Sequence, residues 1–222
     1  MESRFNRFCE RLSILDTKEQ QLVIELTRRF TDISGNEYLQ LIIKLLNRIR
    51  DEGTNVFSAT KKFFILPLVA PQDFNRTKSS SFVWYYFRDE LVKYNPLFAG
   101  KNLVYCDIEK ASWISNLKTD EMVILVDDYV GSGETAVGAI KWLVDSFKTD
   151  PKQIVILSIA AQEFGVKHIS QETGVVTYSY YQFKRGISDF YSGDQRDDYL
   201  ETMNGIEIGL HMPKLCPREI FQ

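Results

Sequence analysis

The residues best suited to chemistry lie at positions 121–136, which read EMVILVDDYVGSGETA. An apolar run at 122–126 is typical of a buried parallel strand, and it ends on two adjacent carboxylic acids, Asp127 and Asp128. A short loop of small residues follows at 131–135, and a helical pattern begins near Ala136. The stretch therefore predicts two carboxylates at the carboxyl end of a strand, directly before a tight turn into a helix.

This arrangement suits a ligand that carries both hydroxyls and a phosphate. Gly131 and Gly133 let the backbone turn sharply and come close to a ligand, and a helix N-terminus offers free N–H groups to an anion. The two acids can accept hydrogen bonds from neighbouring hydroxyls. A ribose 5-phosphate group satisfies both features, whereas the simpler alternative is an ordinary strand-to-helix turn with solvated aspartates.

Positions 123–135, VILVDDYVGSGET, resemble the signature of type I phosphoribosyltransferases. That signature has four apolar residues, two acids, two mostly apolar residues, a variable position and then Thr/Ser-Gly-x-Thr, and every class is met here. The resemblance covers about residues 60–190 and is more specific than a lone glycine motif.

The resemblance implies that the protein binds 5-phosphoribosyl-1-diphosphate (PRPP) with Mg²⁺ and transfers the phosphoribosyl group to an acceptor. Asp127 and Asp128 would bind the ribose hydroxyls and the metal, which keeps several waters and takes few protein carboxylates. The 5-phosphate would lie on the loop residues Gly131, Ser132, Gly133, Glu134 and Thr135. Departure of the diphosphate leaves positive charge on the ribose ring, and the two carboxylates would stabilise that charge.

A second candidate anion site lies at 75–81, NRTKSSS, between a predicted strand and a predicted helix. Lys78 and Arg76 supply positive charge, and Ser79 and Ser80 supply hydroxyls, so the segment could hold the diphosphate. Lys78 is the third residue to which we assign a catalytic role. The alternative is a polar loop in which a serine simply caps the helix. A basic pair after the last predicted strand, Lys184 and Arg185, would complete the phosphate pocket in the resembled family.

Two departures from the family pattern favour a different function. Gly131 fills the position at which purine-salvage members have an aspartate as general base, and the stretch from Cys106 to Met122 is shorter than the usual mobile hood. A weakly active or inactive sensor of PRPP or nucleotides, which regulates a partner protein, is therefore the alternative. The overall layout is similar to that of a divergent phosphoribosyltransferase-like domain of bacterial conflict and antiphage operons.

The elements that must position these residues alternate between strand and helix from residue 61 onward. This order predicts an α/β fold with a mainly parallel sheet of about five strands and flanking helices. An N-terminal helical extension precedes it, so we predict segments at 1–56, 57–190 and 191–222, the last being an arm packed on the domain. The extension shows no chemistry and could dock an operon-encoded protein.

Local patterns predict several boundaries. Thr17 with Gln20, and Ser34 with Glu37, fit the capping box that begins a helix. A strand is predicted at 122–126. One helix is predicted at 81–94, and its inward positions are predicted to be Phe82, Tyr85, Tyr86, Leu91 and Val92.

Bulk composition excludes few functions. The net charge of -3 gives no general nucleic-acid footprint. The sequence leaves open whether nucleic acid is a partner. No apolar run reaches the length of about 18 residues that a membrane span needs. The three cysteines and two histidines show no metal-ligand spacing. These features predict a cytoplasmic protein, and the family resemblance favours a homodimer.

Overall fold

The computed structural model describes residues 3–53, 55–74 and 78–209 of the chain. The chain forms two compact units, one of Ile33–Phe183 and one of Met1–Asp32 with Lys184–Gln222. Each unit has its own packing and is described separately. The functional division at residues 56 and 190 stays a prediction.

The larger unit is built on a parallel sheet of five strands in the order β2-β1-β3-β4-β5. The strands are β1 Lys62–Pro67, β2 Asn102–Tyr105, β3 Glu121–Val130, β4 Ile154–Gln162 and β5 Val176–Phe183. All neighbouring strands pair in parallel. The predicted α/β class with a sheet of about five parallel strands is confirmed.

Helices cover both faces of this sheet, which explains why the central strands are apolar throughout. One face packs against α3 Tyr38–Asp51, α4 Asn55–Ala59, α5 Ser79–Tyr86 and α6 Glu90–Lys93. The other face packs against α7 Glu134–Phe147, α8 Glu163–Thr173 and the 3₁₀ turn Ile108–Ile114. The acid pair therefore lies on the central strand of a sheet that is fully covered.

The capping box at Ser34 and Glu37 is confirmed. Ser34 and Glu37 cap the 3₁₀ turn Gly35–Glu37, which leads directly into α3. The apolar stripe of α3 is buried, namely Leu41, Ile42, Leu45, Leu46 and Ile49. Since the cap fixes where α3 begins, it also fixes which α3 residues reach the sheet.

The predicted helix at 81–94 is two helices, and most of its predicted inward positions were wrong. The first helix, α5, ends at Tyr86. Asp89 is the N-cap of the second helix, α6, because its carboxylate accepts a hydrogen bond from the Leu91 N–H at 2.8 Å. The helix beginning at Ser79 instead turns Val83 inward, with Phe87 buried at its end and Val92 buried in α6. Three of the predicted inward side chains are well exposed: Phe82 at 53%, Tyr85 at 64% and Leu91 at 58%.

The smaller unit contains α1 Arg4–Ser13, α2 Thr17–Arg28 and α9 Gly193–Gly209. The cap of α2 is Asp16 with Glu19, and the prediction of Thr17 with Gln20 was wrong by one residue. An aspartate carboxylate accepts the Glu19 N–H at 2.9 Å, while the Glu19 carboxylate accepts the Asp16 N–H in return.

Arg29 ties the segments of the smaller unit together. Its guanidinium donates to the Gly186 carbonyl at 2.9 Å and to the Tyr191 hydroxyl at 2.7 Å, and it lies 4.1 Å from the centre of the Phe190 ring. Across the described part of both units, every helix is too short or too polar to cross a bilayer.

Candidate functional site

The central strand β3 runs past the end of its neighbour β1, and this creates a step in the sheet. The sequence predicted that β3 ends at Val126, but it continues to Val130 because it keeps pairing with β4, from Asp127 opposite Ser158 to Val130 opposite Ala161. Strand β1 stops opposite Val126, at Pro67. The acid pair is therefore part of the strand, on a stretch that lacks β1 on one side.

Asp127 is half-buried and lies in an electrostatically unfavourable position for a charge. Its Oδ1 atom accepts a hydrogen bond from the backbone N–H of Asp128 at 2.9 Å. Burial, and then the neighbouring Asp128 charge, raise the pKa of Asp127 well above its usual range, while the positive charge of Lys78 works against that rise. A bound cation would relieve the same repulsion.

Asp128, which is also half-buried, is contacted by a side chain outside the signature. The hydroxyl of Tyr38 at the start of α3 donates to Asp128 Oδ2 at 3.4 Å. Burial, and then the Asp128 charge, raise the pKa of Tyr38, so its hydroxyl keeps its proton and remains a donor. Sequence reasoning assigned no chemistry to this helix, because only the folded chain brings Tyr38 to a residue ninety positions away.

The raised pKa of Asp127 predicts a stability effect with a definite sign. A carboxyl whose pKa is raised in the folded state contributes stability at low pH, and this contribution is lost as pH rises from the usual aspartate range through the raised value. Asp127→Asn stays neutral, so it should melt about 2–4 °C above wild type near pH 8, as about 1 kcal/mol would produce in a chain of this size.

The difference between Asp127→Asn and wild type should shrink below about pH 4, where both side chains are neutral. Thermal unfolding followed by circular dichroism across this pH range measures it. Asp197→Asn, at a carboxylate with 63% of its side chain exposed, is the control and should track wild type at every pH. A melting difference that is the same for both variants at all pH values would contradict the assigned environment of Asp127.

The loop after β3 is held in place by close backbone packing against α8. Gly133 has φ +88, and a Cβ there would lie 2.8 Å from the Gly165 carbonyl oxygen. A Cβ on Gly165 would lie only 1.9 Å from the carbonyl oxygen of Gly131. The loop backbone and the α8 backbone can approach this closely only because neither glycine carries a side chain. The loop that leads into α7 is therefore fixed in shape.

The polar side chains of this loop and of the first turn of α7 differ in their exposure and in their contacts. Ser132 is half-buried, and its Oγ atom accepts a weak hydrogen bond from the Glu134 N–H at 3.4 Å. Glu134 is turned toward α8, with its Oε1 atom 3.0 Å from His168 Nε2, at ion-pair distance but without the alignment of a directed hydrogen bond. Thr135 is half-buried in the first turn of α7. The Glu134 carboxylate thus has a partner of its own on α8.

The lysine of the second predicted anion site has an acidic partner of its own. Lys78 is the residue before α5, and its Nζ atom lies 2.9 Å from Oδ2 of the buried Asp73. Its positive charge also acts on Asp127, where it opposes the rise in the pKa of that carboxyl group. Ser79 begins α5, and Ser80 is buried with an Oγ atom that has no hydrogen-bond partner among the described residues. Arg76 lies outside the described residues.

Lys184 and Arg185 belong to the smaller unit. The backbone N–H and guanidinium of Arg185 bind the Asp189 carboxylate, at 2.7 Å and 2.8 Å. Their role at a phosphate pocket stays a prediction.

Three residues that sequence reasoning missed support this site: Tyr38, Asp73 and Gly165. Gly165 carried a usable signal, because a glycine inside a helical pattern costs about 1 kcal/mol relative to alanine and so points to a packing constraint. Tyr38 and Asp73 carried none, since each becomes a neighbour of the site only in the folded chain.

A covered parallel sheet, with an acid pair at the end of its central strand and a glycine loop leading into a helix, defines a phosphoribosyltransferase-like domain. The family model PRTase-CE matches residues 6–204, and the chain belongs to this family. No curated protein matches the sequence.

Solved structures similar to this chain include three phosphoribosyltransferases. APRTase from Giardia lamblia, complexed with 9-deazaadenine, has 15% identity and a TM-score of 0.41, over 65% of this chain and 79% of its own. Orotate phosphoribosyltransferase from Aeropyrum pernix has 13% identity and a TM-score of 0.37, over 78% and 75%. HGPRT-ase from Leishmania tarentolae, in complex with GMP, has 12% identity and a TM-score of 0.38, over 70% and 82%.

Proposed function

We propose that the protein binds PRPP with Mg²⁺ and transfers its phosphoribosyl group to an acceptor. One observation carries this proposal: a half-buried pair of interacting acids, Asp127 and Asp128, lies near the end of β3, just before a glycine loop that packs closely against α8. Membership of the PRTase-CE family supports phosphoribosyl chemistry in general. The region from β3 to α7 offers hydroxyl acceptors and an anion cradle, and Lys78, which precedes α5, adds a positive charge that acts on Asp127.

Each group has a role that follows from its charge and position. Asp127 and Asp128 accept hydrogen bonds from the ribose hydroxyls. The 5-phosphate binds the main-chain N–H groups of 131–135 with the Ser132 and Thr135 hydroxyls, at the N-terminal end of α7. Lys78 neutralises the diphosphate, and Asp73 holds its ammonium group in place.

The residues present fit a magnesium ion. The described residues contain no group of three or more His, Cys, Asp or Glu side chains arranged around a metal. Mg²⁺, however, is commonly bound by one or two carboxylates together with substrate phosphates and water. Asp127 and Asp128 would hold it, and the ion would supply charge neutralisation for the diphosphate as it leaves.

The chemistry expected of this chain is electrostatic. Breaking the bond between the ribose C1 atom and the diphosphate leaves positive charge on the ribose ring. Two carboxylates in a partly desolvated position stabilise that charge, and Lys78 stabilises the departing diphosphate. No covalent bond to the protein is needed.

Calorimetry with PRPP tests the proposal directly. Wild-type protein should bind PRPP in the presence of Mg²⁺, and chelation of the metal should weaken the affinity at least about tenfold. Ribose 5-phosphate, which lacks the diphosphate, is the matched ligand control and should depend less on the metal. If PRPP gives no heat of binding with or without Mg²⁺, the proposal is wrong.

A regulatory sensor that binds the same ligand without turnover is the second candidate. Gly131 leaves the loop without the aspartate that serves as general base in purine-salvage members, and this favours the sensor. Product analysis separates the two functions. An enzyme releases diphosphate from PRPP when a suitable acceptor is added, whereas a sensor returns the ligand unchanged.

The wider biological setting belongs to the same proposal. We expect a cytoplasmic homodimer that acts in a bacterial conflict or antiphage system, with an operon-encoded protein docking on the N-terminal helices. Light scattering of the purified protein measures the oligomeric state. Phage challenge of cells with and without the Asp127→Asn/Asp128→Asn variant measures the defence role.

Tyr38 provides a finer test of the acid pair. Tyr38→Phe removes the donor to Asp128 and keeps the ring, so PRPP affinity should fall about threefold to tenfold, the range expected for one hydrogen bond. The acid limb of the pH dependence of binding should also move to higher pH, which loss of packing alone would not cause. Calorimetry at several pH values measures both changes.

Tyr86→Phe is the matched control for Tyr38→Phe. Its hydroxyl donates at 3.2 Å to the Gly35 carbonyl, away from the acids, and its ring packs against Tyr38. This variant should keep the wild-type affinity and pH dependence. Equal effects of the two variants would show that Tyr38 acts through the aromatic packing and does not position Asp128.

A further inference from the structure

An open groove of about 420 Å³ lies along α5 and the turn that follows it, lined by Phe82, Tyr85, Tyr86, Arg88 and Asp89. Its volume is within the range of small-molecule sites. Nothing in the proposed roles of the acid pair, the glycine loop or Lys78 uses this groove.

The groove presents aromatic side chains to solvent. Phe82 is 53% exposed and Tyr85 is 64% exposed, although aromatic residues at helical spacing usually face a core. Phe82 and Tyr86 meet edge to face, with ring centres 5.1 Å apart. Exposed rings held in this way offer flat surfaces on which another ring can stack.

The groove also contains an arginine, Arg88, that has no acidic partner among the described residues. The Arg88 guanidinium lies 5.3 Å from the Trp84 ring centre and 6.0 Å from that of Tyr85, and it forms no ion pair with any residue that the structure describes. Asp89, its neighbour, uses its carboxylate to cap α6. The donors of Arg88 are therefore available to a phosphate, for which a guanidinium is well shaped.

One tyrosine ring links the groove to the acid pair. The Tyr38 ring centre is 6.1 Å from that of Phe82 and 6.2 Å from that of Tyr86, while the Tyr38 hydroxyl contacts Asp128. A ligand in the groove would thus lie beside the site proposed for the phosphoribosyl group, without using its acids.

We infer that the groove is a separate nucleotide-binding site, in which a base stacks on Phe82 and Tyr85 and a phosphate pairs with Arg88. Exposed aromatic rings combined with a cation that has no acidic partner in the described part of the chain are the elements that bind bases and their phosphates without sequence preference. This site goes beyond the proposed function. A free nucleotide and a nucleotide within a single strand present the same chemistry.

The test uses full-length protein that carries Asp127→Asn/Asp128→Asn, so that binding at the acid pair is removed. Adenosine 5′-monophosphate and a single-stranded oligoadenylate are titrated separately by calorimetry. We expect saturable binding, weakened about tenfold by Tyr85→Leu and about tenfold by Arg88→Gln, as expected for losing one stacked base or one charge-assisted contact.

The neighbouring α6 end supplies matched controls. Tyr94 is 71% exposed and has Lys93 Nζ 5.4 Å from its ring centre, a similar ring and cation pair outside the groove. Tyr94→Leu and Lys93→Gln should leave the affinity for either probe unchanged. Tighter binding of the oligoadenylate than of the monophosphate would assign the site to a strand, and the reverse order to a free nucleotide.

Two results would overturn the inference: no saturable binding of either probe in the aspartate-substituted protein, or equal losses in the groove variants and the controls. Neither result bears on PRPP binding, which is measured with wild-type protein. A failure of PRPP to bind wild-type protein would likewise leave the groove intact.

Discussion

Gly165→Ala should lower the melting temperature by roughly 5 °C or more and weaken PRPP binding at least about tenfold. The added Cβ would stand 1.9 Å from the Gly131 carbonyl oxygen, a backbone atom that cannot rotate away. Either the loop or α8 must move, and overpacking of this kind costs about 1–3 kcal/mol, or about 2–4 °C per kcal/mol in a chain of this size. A displaced loop would no longer present its N–H groups to a phosphate.

Gly138→Ala is the matched control for Gly165→Ala. This glycine lies in the neighbouring helix α7, and a Cβ there would meet only the Ala70 Cβ at 3.4 Å, an ordinary contact. Because alanine favours a helix over glycine by about 1 kcal/mol, the control should melt at or above the wild-type temperature and bind PRPP normally. If Gly165→Ala also behaves in this way, the loop is not held by α8.

The second large effect concerns the acids. Asp127→Asn/Asp128→Asn should reduce PRPP affinity at least about 100-fold in the presence of Mg²⁺, because hydrogen bonds to a charged group contribute about 1.5–3 kcal/mol each and the metal loses both carboxylates. Unfolding would not explain the loss, since the Asp127→Asn change is expected to stabilise the ligand-free protein. Calorimetry and thermal unfolding on the same samples separate the two effects.

The chain contains a second adjacent acid pair for comparison. Asp197 and Asp198 lie on α9 in the smaller unit, with 63% and 49% of their side chains exposed. Asp197→Asn/Asp198→Asn makes the same change in net charge and should keep the wild-type affinity for PRPP. A similar loss in both double variants would trace the effect to net charge, and the assignment of Asp127 and Asp128 would fail.

The sheet and the central motif were predictable because both follow from local sequence patterns. The apolar runs of β3 and β4 are continuous, as strands covered on both faces require, and the glycine loop sits directly between β3 and α7. Ser34 and Glu37 are three residues apart and form a capping box whose hydrogen bonds are all local. Such features can be identified from the sequence without knowledge of tertiary contacts.

One error arose because a distant strand decides where β3 ends, and another because the start and the break of a helix decide which side chains face inward. The extra residues of β3 pair with β4, from Asp127 opposite Ser158 onward. This pairing joins segments far apart in the sequence, so no local sequence pattern predicts it. The exposed position of Phe82 and Tyr85 depends on where α5 begins, at Ser79, and on the break before α6. A shift of one or two residues at a helix start turns a different face toward the sheet.

Asp127 and Asp128 are consecutive residues of β3, and their carboxyl groups are close enough to interact with each other, yet their other neighbours differ. Lys78 acts on the first carboxylate, and the Tyr38 hydroxyl contacts the second. A sugar that engages both acids would therefore meet two carboxyl groups with different surroundings, one beside a cation's field and one beside a hydroxyl donor. The two acids are consequently not interchangeable, because each carboxyl group would meet the ribose from a different electrostatic environment.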